Sequence, residues 1–136
     1  MLGQTRLGRG IGLASLAAGP IFLTANAAAW MYLQIPKPIA IGPSDLLLFV
    51  GLCIPAAVFG CILSILPNLI GSGLMVAMGD ALPAARSPEV WIVAGGLAGL
   101  GIAAAMSFAQ SPSSGFALVA TSAICARICR RSVAWA

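Results

Sequence analysis

Histidine is absent from this 136-residue chain, and charge of either sign is scarce: Asp, Glu, Lys and Arg make up 7% of it. Without imidazole there is no usual axial ligand for haem, no His-containing zinc site and no Ser-His-Asp relay. The acids are few as well. Asp45, Asp80 and Glu89 are the three carboxylates, so paired-carboxylate chemistry, which needs two acids close enough to share a proton, has almost nothing to draw on. No catalytic residue, cofactor or metal is expected, and an enzyme is the least favoured class.

Cysteine is present but not in a form that organises a fold. Cys53 and Cys61 stand eight apart, about 80° around a helix axis, and Cys125 and Cys129 stand four apart on one helical face. All four lie in or beside apolar segments, which does not read as a secreted disulfide framework. Soft-metal binding by thiolates would want a Cys-x-x-Cys pair or a histidine. The expected role is that of a small buried hydrophobe.

What the chain has in abundance is apolar length. Sixty per cent of the residues are hydrophobic and the mean hydropathy is +1.04. Ten formal charges cannot cover the surface of a soluble domain of this size. The surrounding medium is therefore expected to be lipid. Four apolar stretches stand out, at about 10–35, 46–66, 90–109 and 112–128. About 20 apolar residues cross a ~30 Å hydrocarbon core as a helix; the fourth stretch is short, and Arg127 can lengthen it by reaching toward the headgroups. The reading is an all-α integral membrane protein, a four-transmembrane-helix bundle forming one transmembrane domain over 1–136.

Local signals mark the helix ends. Ser87-Pro88-Glu89 combines a hydroxyl acceptor, a proline at the first helical position and a first-turn carboxylate. Gly42-Pro43-Ser44-Asp45 begins the second span in the same manner. Ser111-Pro112-Ser113-Ser114-Gly115 predicts a tight polar turn that makes spans three and four antiparallel neighbours. Pro36 and Pro38 end the first.

Two segments resist this scheme. Arg6 and Arg9, an apolar core and Ala25-Asn26-Ala27 resemble a cleavable signal peptide, yet apolar character resumes through Trp30 and Leu33, which favours an uncleaved helix. Residues 67–82 would stretch span two well beyond a bilayer. Pro67 is expected to end or kink the helix there, leaving a short cytoplasmic amphipathic or re-entrant helix between spans two and three.

Orientation follows from the basic residues. A cytoplasmic N-terminus puts Arg6, Arg9, Arg86, Arg127, Arg130 and Arg131 inside and leaves Lys37 alone outside. Both termini then face the cytoplasm, in a bacterial plasma (inner) membrane. Trp30 and Tyr32 are expected to mark the outer interface, and Trp91 and Trp135 the inner one. Arg127, Arg130 and Arg131 read as lipid-headgroup anchors; nucleic acid, which needs a solvent-facing basic patch, is not an expected partner.

Three constellations remain as candidate sites. Gly95, Gly99 and Ala103 recur every fourth residue and form a helix-packing seam, read first as packing against span two or four and second as an oligomer contact. Asn26 and Asp80 are the candidates for a polar pathway, although Asn26 is more simply a hydrogen-bonding partner for a neighbouring helix. Pro20 and Pro55 free backbone carbonyls within spans one and two. The expected partners are the lipid bilayer and either other membrane-protein subunits or further copies of the chain. The expected function is accessory or assembly subunit of a larger membrane complex; the alternative is a small homo-oligomeric transporter or channel.

Overall fold

A computed structural model describes residues 2–35, 41–105 and 111–133, with side chains from Gly8 onward. Lys37, Trp135 and the prolines after Ile35 lie outside the described residues, as does the end of the third apolar stretch. Among the described residues the chain forms four α-helices and one short 3-10 turn. They are α1 (Leu2–Gln34), α2 (Pro43–Ala81), the turn Pro83–Arg86, α3 (Pro88–Ala105) and α4 (Pro112–Arg131). All four helices are long and apolar enough to cross a membrane.

Three of the helices start on a proline, where the missing N–H would have had no partner anyway and the fixed φ suits the first turn. At the head of α2 the Gly42 N–H donates to Asp45 Oδ2 at 2.9 Å, which joins a capping bond to a favourable first-turn charge. At the head of α3 the Val90 N–H donates to Ser87 Oγ at 3.4 Å. The serines expected to form a turn before α4 belong largely to its first helical turn, with the Gly115 N–H donating to Ser111 O at 3.1 Å.

The expected break at Pro67 is not there. Residues 67–82 do not form a separate short helix; α2 runs through both Pro55 and Pro67 to Ala81. A proline removes one helical hydrogen bond, whereas stopping the helix there would leave several terminal backbone groups without intrahelical partners. Nearby hydroxyls also return bonds to the backbone: Ser64 Oγ donates to Cys61 O at 3.5 Å and Ser72 Oγ to Asn68 O at 2.6 Å. The continuous helix of 39 residues is roughly 58 Å long at 1.5 Å per residue. Its last turns pack against the rest of the bundle, for Ser72, Met75 and Gly79 are buried.

Neighbouring helices run antiparallel. Ser15 of α1 meets Ser64 and Asn68 of α2, Ala14 and Asn26 of α1 meet Cys125 and Ser114 of α4, and Gly95 and Gly99 of α3 meet Ser122 of α4. The spatial order is therefore α2, α1, α4, α3, with α1 and α4 inside. Helices α2 and α3 are consecutive in sequence but do not pack along one another. The bundle is a row rather than a closed ring.

The core gathers at one end of this row. Ile11, Ala14 and Ala18 of α1, Met75 of α2, Trp91 of α3, and Cys125 and Cys129 of α4 close on each other there. Trp91 corrects its expected place in an interfacial belt. Only 1% of it is exposed, and its indole N–H donates to Ala85 O at 3.0 Å, so the ring fills the junction between the 3-10 turn and the helices. Trp30 and Tyr32 are exposed near the far end of α1.

Candidate functional site

The end of the row that holds the core also holds the arginines. Gly10 of α1 abuts Ser132, just past the C-terminus of α4, so Arg9, Arg127, Arg130 and Arg131 cluster at one level. The 3-10 turn joins them. Arg130 Nε donates to Arg86 O at 2.6 Å, its Nη1 to Val133 O at 3.4 Å, and Arg86 Nε to Gly79 O at 2.8 Å. Two guanidinium groups thus tie the last turns of α2 and α4 to the turn between α2 and α3, satisfying carbonyls that a helix end leaves open. Arg127 and Arg131 are exposed. Together with Arg130 and Pro88 they line a cavity of about 320 Å³ between the start of α3 and the end of α4.

The seam between α1 and α2 is the feature the sequence reading missed. Ala56, Gly60, Ser64, Asn68 and Ser72 recur at every fourth position of α2, which places them on one face. Gly19 of α1 lies so close to Ala56 and Gly60 that a Cβ on either glycine would overlap the partner backbone. One crossing thus rests on two missing side chains. Farther along, Asn68 Nδ2 donates to Ser15 Oγ at 3.1 Å and Ser64 Oγ donates to Ser15 O at 3.3 Å. Ser15 is fully buried. The four-residue spacing is visible in the sequence, but three of its members are polar and a search for glycine and alanine alone passes over them.

The predicted seam on α3 faces α4. A Cβ on Gly95 would stand 2.6 Å from Ser122 O and from Ala126 Cβ, and one on Gly99 would stand 2.8 Å from Ser122 Oγ. Ala103, one turn on, is buried. This contact lies within the chain, so the small side chains are accounted for by the approach of α4.

The two residues read as a polar pathway are not brought together. Asn26 is half-buried toward the end remote from the arginines, where its Oδ1 accepts a bond of 3.4 Å from Ser114 Oγ. Ser114 is in turn 3.1 Å from Ser111 Oγ. Asp80 sits exposed in the last turn of α2, at the arginine end. The cysteines behave likewise as separate side chains: Cys125 Sγ donates to Ala14 O at 3.4 Å, Cys129 is buried beside it in the core, and Cys53 and Cys61 are half-buried on α2. Among the described residues no three potential ligands converge as a metal site would require.

The chemistry available at these places is packing, hydrogen bonding between helices, and positive charge at one end. No family model, characterised protein or solved structure matches this chain.

Proposed function

We propose that the chain is an integral membrane protein of four spans, with the arginine end in the cytoplasm, that serves as an accessory or assembly subunit within a larger membrane complex. The observation that carries this reading is the placement of α2. It carries the most apolar 18-residue stretch of the four helices, and none of that stretch is buried within the chain. It holds on to α1 through Ala56, Gly60, Ser64 and Asn68 and presents a long apolar side outward. Leu47, Ile54, Phe59 and Leu63 are all exposed. A helix at the open end of a row, rather than one closing a ring, leaves a long side available to a neighbouring subunit or to lipid. Six arginines against one lysine support this orientation, and Gly10 in the first part of α1 stands beside Ser132 just past the end of α4.

A second reading, a small homo-oligomeric transporter or channel, is favoured by the polar set of buried Ser15 and Ser72 and half-buried Ser64 and Asn68 within otherwise apolar helices. Extraction in mild detergent and sizing by native mass decides between the two. The subunit reading expects a larger protein to accompany the chain in fixed ratio. A pure homo-oligomer, with transport abolished by Asp80→Asn, would reject it in favour of the second.

A further inference from the structure

The open cavity between the start of α3 and the end of α4 carries a charge that asks for a particular class of occupant. Arg127, Arg130 and Arg131 bring three positive charges to one opening, and Pro88 forms the opposite wall. Its volume of about 320 Å³ lies at the lower end of the ~300–1,000 Å³ typical of small-molecule sites. Arg130 is held in place by its bonds to Arg86 O and Val133 O. Its planar group is therefore set before any ligand arrives, which lowers the ordering cost of binding an oxyanion. Glu89 follows Pro88 in sequence but does not line the cavity.

What lies beneath the charges narrows the ligand further. At 100° per residue, Phe116, Ala120, Ile124, Arg127 and Arg131 fall within an arc of about 80° on α4. Phe116 and Ile124 are exposed, at 63% and 43%, whereas Ala117, Thr121, Cys125 and Cys129 on the other side are buried. One outward face thus carries an apolar track that ends in two guanidinium groups. From Phe116 to Arg127 the rise is roughly 16 Å, close to the ~15 Å depth of one leaflet's hydrocarbon. A free phosphate or a nucleotide has no use for such a track. A phospholipid matches both parts.

We propose that this cavity is a binding site for the phosphate headgroup of an anionic phospholipid, whose acyl chain lies along Phe116, Ala120 and Ile124. The site differs from a diffuse basic anchor in holding one lipid between two helices. It rests on the membrane-embedded reading but fails separately from it, since a chain without this site would still need detergent to stay in solution.

The test is native mass spectrometry of the purified chain in mild detergent, titrated with phosphatidylglycerol or phosphatidylcholine. The wild-type chain is expected to retain one phosphatidylglycerol in preference to phosphatidylcholine. Arg127→Gln combined with Arg131→Gln should weaken that retention by about thirtyfold, the combined weight of two arginines at an anionic surface. Arg9→Gln, at the same end but away from the cavity lining, should leave it unchanged, and millimolar inorganic phosphate should not displace the lipid. Equal retention of the two lipids by the wild-type chain would overturn the proposal even if the double variant failed to fold. So would an equal loss on Arg9→Gln, which means a diffuse field, or displacement by phosphate, which means a site for the free anion.

Discussion

At the scale of single residues, the fold depends on where side chains are absent as much as on where they are large. Gly19 and Gly60 let α1 and α2 approach backbone to backbone, and neither position has room for even a methyl group. Gly60→Val should therefore cost about 1–3 kcal/mol or more, as overpacking does, and should open the α1–α2 contact. Unfolding in mixed micelles by increasing SDS checks the magnitude. Gly71 and Gly73, on the same helix but with open space around them, provide the control: valine at either should change little. The two tryptophans of known environment make a parallel contrast. Trp91 fills the core and bonds Ala85 O, so Trp91→Ala should destabilise by about 3–5 kcal/mol. Trp30, half exposed near the far end of α1, should tolerate alanine with little loss by the same assay. Sequence alone does not separate these two rings. Both lie near the ends of apolar runs, and only the path of the 3-10 turn over Trp91 makes one of them a core residue.

At the scale of elements, the four apolar helices and their starts were legible, because composition, proline at the first position and nearby polar caps are all local signals. Span two was misread for a physical reason. Pro67 and the Gly71-Ser72-Gly73 sequence are helix-breaking signals calibrated on chains surrounded by water. In apolar surroundings an interrupted helix loses more hydrogen bonds than a proline removes, and Ser72 turns its hydroxyl back onto Asn68 O. Pro67→Ala should accordingly leave helical content intact and hold stability or raise it by up to about 1 kcal/mol, since the restored N–H finds Leu63 O waiting. A rise in helicity by circular dichroism would mean that the proline terminates the helix after all. The α3–α4 contact makes an opposite demand. Gly99→Leu would drive a branched side chain into Ser122 and Leu118 O and should separate these two helices. A disulfide engineered across their far ends should then form more slowly than in the parent chain.

At the scale of the whole molecule, what sequence could not foretell is the order of packing. Apolar faces on membrane helices are interchangeable, since lipid covers leucine as readily as protein does, so hydropathy names the spans without pairing them. The pairing rests on small and polar residues: Gly19 with Gly60, Ser15 with Asn68, Asn26 with Ser114, Gly95 with Ser122. Of these, the α3 glycines and Asn26 stand out in the sequence, while Ser64 and Asn68 of α2 do not, being scattered polar residues until α1 is laid against them. The resulting row, α2 and α3 outermost, is what leaves α2 facing outward and what sets Pro88 across from Arg127, Arg130 and Arg131.

The central claim is that four apolar helices thread a membrane so that both chain ends and the arginines share its cytoplasmic face. Small epitope tags at Met1 and at Ala136, probed with protease in intact and in opened cells, test it in one measurement. Both tags should resist digestion while the membrane is sealed and both should be lost once it is opened. One tag cut in intact cells and the other protected would contradict the even number of crossings and, with it, the level shared by Gly10 and Ser132.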